Sequence, residues 1–376
     1  MEQKHAHEAV HKFLESGVIE KSPSQDDRFL SNLFTIQEKD KIRPILDCKR
    51  INAFIQCQHF KIEGVPALRE IIETDDYITK IDLKDTYTVV PISVESRRYL
   101  SFKHQGVIYQ YKSLPFGVSV APRIFSKLMR FALEPLRKQG IRLVYYLDDV
   151  CLLAKTKEEM ETNVKVVISH LQHLGFIINY KKSKLQPAYC QEFFGFLFNT
   201  KTMRIAAPKK KLEAIYIRIK QVLKTTKTCR WIAALLGKMT ALLPAVGEAP
   251  IHMRFIQRDL TRNLMGKQAR REQLCHLSNH AQEELRWWLT QSTFKNGLPI
   301  MTRLPAPPAV TIHIDASDSG WGITSDIVKR YGFWNKKEKQ LSINVRELMA
   351  IRFALQAHAQ RFRDQTIHIY SDNVQL

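Results

Sequence analysis

The sequence predicts an α+β protein whose N-terminal half is a sheet packed against helices. Residues 142–198 have the pattern strand, strand, helix, strand, strand, and a strand within 77–92 precedes them. This order indicates a sheet with helices on one face. The chain has 376 residues, enough for two or three domains at about 100–200 residues each. A hydrophobic content of 44% is ordinary for a folded protein with a core.

Apolar periodicity and turn residues predict the first elements. The helix over 123–138 starts beside Pro122, which suits a first helical turn, and its apolar stripe is assigned to Ile124, Leu128, Phe131 and Leu136. The elements before it are a helix over 1–20 that ends at Gly17, a hairpin over 29–55, the strand within 77–92, and a hairpin over 99–113 with Gly106 in its turn.

The later elements are predicted in the same way. They are a helix over 157–174, a strand at 176–178, an aromatic hairpin arm at 193–198, helices over 209–224, 230–243, 252–264 and 270–290, strands at 310–315 and 366–372, and a helix over 345–361. A proline-rich stretch from Asn296 to Pro308 indicates a linker. The predicted divisions are therefore 1–200, 201–296, a linker at 297–309, and 310–376.

Charge is the most informative part of the composition. The chain has 58 Lys and Arg against 37 Asp and Glu, a formal net charge of +21. Residues 201–272 hold 17 of these cations and only 4 acidic residues, so most of the excess lies there. Such a long basic segment favours a polyanionic partner, nucleic acid first, over a merely solvated face or an anionic membrane.

The compartment is predicted from what the sequence lacks. No stretch approaches the about 18 apolar residues of a membrane helix, and the first residues lack a signal-peptide apolar run. The six cysteines are scattered without a CxxC pair, which favours reduced thiols over disulfides or a cysteine-based zinc site. We therefore expect an intracellular protein.

Two adjacent carboxylates, Asp148 and Asp149, lie between apolar arms in the run Leu143 to Ala154. The arms have strand length, so the run predicts a β-hairpin with an Asp-Asp turn. Like charges against an apolar sheet favour a compensating partner, most simply a divalent cation. An ordinary exposed Asp-Asp turn explains this stretch equally well on its own.

Two histidine pairs have helical i, i+4 spacing. His7 and His11 complete an HExxH match, and His276 and His280 form the second pair. A zinc protease would need the first motif in a cleft with a third ligand. Chance matches on solvated helices are the more probable interpretation of both pairs, because no third ligand is evident.

Separated motifs together resemble the reverse transcriptase family, in the family's order. The motifs are Asp82 with Asp85-Thr86-Tyr87, Leu114-Pro115-Phe116-Gly117 with Ala121-Pro122, Tyr146-Leu147-Asp148-Asp149, Gly175 with Lys181-Lys182, and Phe194-Gly195. The wording LPFG followed by SVAPRIF, and the Ser-Gly-Trp-Gly hairpin, most resemble DIRS-type retrotransposons, the tyrosine-recombinase elements. The resemblance covers about residues 17–376, and its specificity comes from the agreement of five motifs.

This resemblance implies a right-hand polymerase of fingers, palm and thumb that extends a DNA primer on an RNA template, and also on DNA. Asp82 and Asp148 would bind two Mg²⁺ ions, or Mn²⁺, with Asp149 beside them. Lys182 would protonate pyrophosphate, with Lys181 and Lys184 as rivals for that role. The dNTP would contact Lys41, Arg43, Asp85, Tyr87, Phe116 and Gly117.

Several of these residues also have simpler interpretations. Tyr87 would exclude a ribose 2′-hydroxyl, and it would equally serve as a core aromatic. Lys41 and Arg43 would grip the triphosphate, or remain surface charges. The resemblance gives duplex contacts to Tyr146, Phe194 and Gly195, and the basic helices after 208, with Lys209, Lys210 and Arg218, would hold duplex phosphates as thumb and connection.

The C-terminal segment resembles ribonuclease H. Asp315, Glu347 and Asp372 match three of that family's metal-binding carboxylates. The family adds a fourth acidic residue, a histidine-bearing loop and later helices, so the resemblance implies a truncated α/β domain with weak or absent RNA cleavage. A non-catalytic nucleic-acid-binding relic of the polymerase fold is the alternative function for the whole chain, although all three palm carboxylates are present.

Overall fold

The computed structural model describes residues 2–24, 27–38, 41–265, 270–300, 308–363 and 365–372. The chain divides into two compact units, Met1–Thr302 and Arg303–Leu376. Among the described helices, none is both long and apolar enough to cross a membrane.

The first part of unit 1 holds six helices and thirteen strands among its described residues. The helices are α1 (Glu2–Glu15), α2 (Lys49–Asn52), α3 (Val65–Ile71), α4 (Val94–Arg97), α5 (Ala121–Lys138) and α6 (Lys157–His173). The strands are β1 (Ile19–Lys21), β2 (Leu30–Ser31), β3 (Leu33–Glu38), β4 (Lys41–Leu46), β5 (Tyr77–Lys84), β6 (Ser101–His104), β7 (Val107–Tyr111), β8 (Arg142–Tyr146), β9 (Asp149–Ala154), β10 (Ile177–Ile178), β11 (Lys184–Ala188), β12 (Cys190–Phe193) and β13 (Phe196–Asn199).

The rest of the chain is helical at first and then mixed. Unit 1 continues with β14 (Arg204–Ala206), α7 (Lys209–Lys224), β15 (Lys227–Thr228), α8 (Cys229–Thr240), α9 (Arg254–Leu264), β16 (Leu274–Cys275), α10 (Asn279–Thr290) and β17 (Leu298–Pro299). Unit 2 contains β18 (Val310–Ala316), β19 (Gly320–Thr324), β20 (Lys329–Phe333), α11 (Ile343–His358) and β21 (Ile367–Tyr370).

The central sheet of unit 1 has the order β10-β5-β9-β8, and β11 also pairs with β5. Side chains alternate across its strands, so Ile81 and Leu83 pack with α5 and α6 while Ile78 packs on the opposite side. That opposite side joins a second core with α3, β12 to β14 and helices α7 to α10. The prediction of helices on one face was therefore wrong, because both faces of the sheet are covered.

Of the predicted apolar stripe of helix α5, only Leu136 is buried. Ile124, Leu128 and Phe131 are exposed, whereas the buried side of α5 carries Phe125 and Met129. The helix has apolar residues on two sides, and periodicity alone cannot tell which side meets the core.

Two boundaries differ from the sequence prediction. The predicted linker at 297–309 starts too early, because Leu298–Pro299 pairs with β14 and Ile300 is buried. The predicted helix over 270–290 begins only at Asn279, after β16 has paired with β15. In both places the unpredicted element is a two-residue strand, which is too short to show alternating apolar residues.

Candidate active site

Sheet pairing brings Asp82 to the Asp-Asp hairpin, across 66 residues of sequence. In the β5–β9 pairing, Asp82 lies directly opposite Asp149. The Leu83 amide donates a 2.7 Å hydrogen bond to the Asp148 carbonyl, which fastens the turn to the end of β5. Because both carboxylates of a directly opposed pair lie on one face, Asp82 and Asp149 point to the same side of the sheet.

The hairpin turn is one residue earlier than predicted. Tyr146 pairs with Asp149, so Leu147 and Asp148 form the turn and Asp149 begins β9. Leu147 has φ of 51°, a left-handed conformation that is costly for a residue with a branched side chain. The turn thereby leaves Asp148 exposed while Asp149 is held in the sheet.

Asp82 is buried at 6% exposure and held by two residues that the sequence analysis missed. Asn179 donates a 2.7 Å hydrogen bond from Nδ2 to Asp82 Oδ1. The Asp82 amide donates to Ser183 Oγ at 2.9 Å, and Ser183 Oγ in turn donates to the Asn179 carbonyl at 2.9 Å. Asn179 and Ser183 lie on either side of the Lys181-Lys182 motif, but a polar loop residue gives no signal of its target before the fold is known.

The electrostatics of the two hairpin carboxylates differ. Desolvation raises the pKa of Asp148 and the charge of Asp82 adds to the rise, while a backbone hydrogen bond, Lys182 and Lys80 act against it. Desolvation also raises the pKa of Asp149, to about 6, although Lys80 Nζ lies 2.7 Å from Asp149 Oδ2. The three carboxylates thus carry negative charge that nearby lysines compensate only in part.

Three exposed lysines lie near this site, and the structure distinguishes them. Lys182 is close enough to lower the pKa of Asp148. Lys184 lies opposite Lys80 in the β11–β5 pairing. Among the three rivals for the general acid, Lys182 is therefore the one whose charge is seen to act on Asp148.

Tyr87 and the LPFG loop lie beside the carboxylates. Tyr87 is 8% exposed, and its ring centroid lies 4.8 Å from that of Phe116 and 5.6 Å from that of Phe125. Burial raises the pKa of Tyr87, and the charge of Asp148 adds to the rise, so this ring is both a core residue and a neighbour of the site. Asp85 is exposed just before it and adopts a left-handed conformation with φ of 50°.

Gly117 is fixed where the LPFG loop meets β4. Its φ is +113°, and an added Cβ would lie 2.6 Å from the Leu46 carbonyl oxygen, so no larger residue fits. Asn52 donates to the Gly117 carbonyl at 2.9 Å and accepts from the Ser119 amide at 2.8 Å. Lys41 and Arg43 belong to the same strand β4, but their side chains lie outside the described part of the structure.

The predicted duplex-contacting residues of the second hairpin contact the first hairpin. Tyr146 is 40% exposed and packs edge-on against Phe194, with centroids 5.4 Å apart. Phe194 and Gly195 form the β12–β13 turn with φ of 53° and 72°, and Lys211 donates a 2.7 Å hydrogen bond to the Gly195 carbonyl. A shift of one hairpin would therefore displace the other.

Helix α7 carries cations away from its buried side. Leu212, Ile215 and Ile219 face the core, while Lys209 and Lys210 are exposed. The Arg218 guanidinium lies 5.2 Å from the centroid of Trp231, a cation–π distance. The structure thus leaves the two predicted lysines open to a polyanion and packs Arg218 on an aromatic ring.

In unit 2, the predicted carboxylates converge. Ligand atoms of Asp315, Glu347 and Asp372 all lie within 4.8 Å of one another. Glu347 is 3% exposed and accepts hydrogen bonds from the Ala316 amide at 3.2 Å and from Ser371 Oγ at 3.3 Å. Burial raises the pKa of Glu347, and the charges of Asp372 and Asp315 add to the rise despite these hydrogen bonds.

Neither histidine pair forms a comparable group among the described residues. His7 stacks on His104 with centroids 5.7 Å apart, and His11 pairs with Glu15 at 3.2 Å. His280 stacks on Phe255. In the described part of the chain, Asp82, Asp148 and Asp149 do not form such a group either, and Asp149 is paired with Lys80.

Comparison with known proteins agrees with this arrangement. Residues 31–198 match the family described as reverse transcriptase (RNA-dependent DNA polymerase), so the chain contains a reverse transcriptase domain. Over 192 residues, the chain is 23% identical to the transposon Tf2-3 and Tf2-4 polyproteins of Schizosaccharomyces pombe. That match covers 51% of the chain and only 14% of each polyprotein.

Solved structures show the same fold over nearly the whole chain. The foamy viral protease-reverse transcriptase in complex with dsDNA superposes with a TM-score of 0.71 at 17% identity, covering 99% of this chain and 75% of that one. The same protein in complex with an RNA/DNA hybrid gives 0.69 at 18% identity, covering 100% and 48%. These likenesses establish the α+β reverse transcriptase fold.

Proposed function

We propose that this chain is an RNA-directed DNA polymerase of a retrotransposon, of the DIRS type, that extends a primer 3′-hydroxyl with dNTPs on RNA and DNA templates. The observation that carries the proposal is the pairing that sets Asp82 opposite Asp149 and beside the exposed Asp148. The residues up to about 200 would act as fingers and palm, and the basic helices after them as thumb and connection. The RNA/DNA hybrid and the dsDNA bound in the foamy viral structures support the choice of partners.

The carboxylates fit Mg²⁺, or Mn²⁺ in its place. They offer hard oxygen ligands. Desolvation, with the charge of Asp82 added, raises the pKa of Asp148 and so disfavours its ionised form, which a bound cation would stabilise. When bound, two such ions would activate the 3′-hydroxyl and neutralise the leaving pyrophosphate. The hydrogen bond from Asn179 would hold the Asp82 carboxylate in place, and the exposed turn would present the Asp148 carboxylate to the ion.

Other residues would then position the substrates. Lys182 would donate a proton to pyrophosphate from its place near Asp148. The Tyr87 ring, fixed by Phe116 and Phe125, would exclude a 2′-hydroxyl, and Gly117 with Asp85, Lys41 and Arg43 would complete the nucleotide pocket. Tyr146 and the Phe194-Gly195 turn would contact the primer, while Lys209, Lys210 and Arg218 would follow duplex phosphates.

The test is extension of a labelled DNA primer on an RNA template with Mg²⁺. The chain should extend the primer, and Asp82→Asn should reduce the rate at least about 1,000-fold because a metal ligand is lost. Glu161→Gln, an exposed change on α6, is the matched control and should retain the rate. If the intact chain makes no product, or if Asp82→Asn extends as fast as the parent, the polymerase assignment is wrong and the binding relic is favoured.

A specific observation favours a second site in unit 2. We propose that Asp315, Glu347 and Asp372 bind a divalent cation in a ribonuclease H-like domain, because their ligand atoms already lie within 4.8 Å of one another. We expect weak or absent RNA cleavage by this chain. Release of labelled RNA from an RNA–DNA hybrid, abolished by Asp315→Asn, would contradict that expectation.

A further inference from the structure

Lys80 has no role in the function proposed above, yet it is the cation that touches the hairpin carboxylates. It lies on β5 two residues before Asp82, on the same face of the sheet because side chains alternate. Its Nζ lies 2.7 Å from Asp149 Oδ2, and the two side chains are only 21% and 22% exposed. This ion pair is therefore short and largely shielded from water.

The other oxygen of Asp149 is closed as well. Asp149 Oδ1 has essentially no surface open to solvent, and it has no hydrogen-bond partner among the residues that the structure describes. One oxygen thus faces Lys80 and the other is covered by protein. Asp148, by contrast, lies in the turn and is exposed. A hydrated cation that approaches the site can reach Asp148 directly, whereas it would have to displace Lys80 to reach Asp149.

We propose that Lys80 is a positioning residue that holds Asp149 out of the metal shell, so that Asp82 and Asp148 alone supply the protein's metal ligands in the palm. The inference rests on the proposed polymerase function and refines the expectation that all three carboxylates bind the ions. The Lys80–Asp149 pair adds no net charge, so the palm presents the charge of two carboxylates to its ligands. A pair of neutral side chains at positions 80 and 149 should therefore leave the affinity of the site for the metal ion unchanged.

Mn²⁺ binding without turnover tests the proposal. The free Mn²⁺ signal in electron paramagnetic resonance is titrated with full-length protein, and every variant also carries Asp315→Asn to silence the carboxylates of unit 2. The decisive variant is Lys80→Gln with Asp149→Asn, which replaces the ion pair by two amides that can hydrogen-bond to each other. Asp148→Asn is the comparison, and Lys80→Arg is the conservative change.

The two possible roles of Asp149 give opposite results. If Asp149 is only the partner of Lys80, the amide pair and Lys80→Arg should keep the Mn²⁺ dissociation constant within about twofold. Asp148→Asn should weaken binding at least about tenfold, the scale on which metal sites respond to altered ligation. If the amide pair weakens binding as much as Asp148→Asn does, the proposal is overturned.

Two additions keep the test decisive. Should the amide pair not fold, Asp149→Glu replaces it, because a longer carboxylate keeps the ion pair but misplaces a metal ligand. Retained binding then supports the proposal, and a loss of tenfold or more overturns it. Primer extension by the unaltered chain is measured in parallel, so that a failed polymerase assignment, with no extension, is distinguished from a failed role for Lys80.

Discussion

The proposed palm site (Asp82, Asp148 and Asp149) and unit 2 each gather three carboxylates, but the two sets are built differently. In the palm, Lys80 pairs with Asp149, and both Lys80 and Lys182 lower the pKa of Asp148. In unit 2, Asp315, Glu347 and Asp372 lie closer together, and among the described residues none of them forms an ion pair. Glu347 is held instead by the Ala316 amide and the Ser371 hydroxyl.

The difference teaches how each site would meet a metal ion. Negative charges that lie together without a cation repel one another, so the unit 2 set favours a divalent ion even before a substrate arrives. The palm set is partly neutralised by its own lysines and is flanked by Tyr87 and by the Phe194-Gly195 turn. Before any substrate arrives, we therefore expect the palm set to bind a divalent ion more weakly than the unit 2 set does.

The largest effect short of removing a metal ligand is expected at Tyr87. Tyr87→Ala removes the ring that packs on Phe116, so discrimination between dNTPs and rNTPs should fall by about 10- to 200-fold, the range for small changes of pocket shape. The ratio of kcat/KM for matched dNTP and rNTP on an RNA template measures it. Tyr87→Phe keeps the ring and should keep the ratio. An unchanged ratio in Tyr87→Ala would show that Tyr87 is only a core residue and does not select the sugar.

A smaller effect is expected at the second hairpin. Gly195→Ala places a Cβ against Lys211 at φ of +72°, which should disturb the turn that packs on Tyr146. The KM for primer–template should rise by about tenfold, equivalent to about 1.4 kcal/mol, with kcat little changed. Steady-state extension at varied primer–template measures it.

The matched control for Gly195 is Gly140. It has φ of +86° with open space around its added Cβ, so Gly140→Ala has the same backbone strain without the collision. Both variants should lose about 1 kcal/mol of stability. An equal rise in KM for the two variants would show that the Phe194-Gly195 turn does not contact the duplex.

The smallest effect is a pH dependence of stability in unit 2. The pKa of Glu347 is raised in the folded state, so the folded protein binds this proton more tightly than the unfolded chain does. In metal-free buffer, the Glu347 carboxyl therefore lowers the free energy of unfolding as the pH rises from about 4.5 through its folded pKa. Below that range it has no such effect. Glu347→Gln removes the titrating group. The Tm of this variant should therefore rise relative to the Tm of the parent as the pH rises through this window.

The same measurement with Mg²⁺ gives the control. A cation that binds the cluster should stabilise the parent at neutral pH and leave Glu347→Gln unchanged. A constant Tm difference between the two proteins from pH 4 to 7 without metal would contradict the raised pKa of Glu347.

Sequence periodicity predicted the elements that carry both sites. Helix α7 has the predicted bounds Lys209–Lys224, and each C-terminal carboxylate lies on or just after the predicted strand or helix. Helix α7 has a single buried apolar side and strand β18 alternates, which fixes the orientation of these two elements locally. The predicted apolar stripe of helix α5 was wrong at Ile124 because Ile124 and Phe125 are both apolar, and only packing decides which of them is buried.

The partners within the sites could not be predicted from the sequence. Lys80 follows a strand pattern and looks like an ordinary surface lysine until β9 places Asp149 beside it. Asn179 and Ser183 are distant in sequence from Asp82, and their contacts with it depend on the path of the chain after α6. Residue type indicated the chemistry, but the side-chain neighbours that tune it arise only from the tertiary fold.

We expect primer extension to depend on the palm carboxylates and not on those of unit 2. The most direct measurement is single-nucleotide incorporation on one RNA–DNA primer–template by the parent, Asp148→Asn and Asp315→Asn. Incorporation by Asp148→Asn should fall at least about 1,000-fold, while Asp315→Asn should stay within about twofold of the parent. Retained incorporation by Asp148→Asn, or an equal loss in Asp315→Asn, would contradict the account.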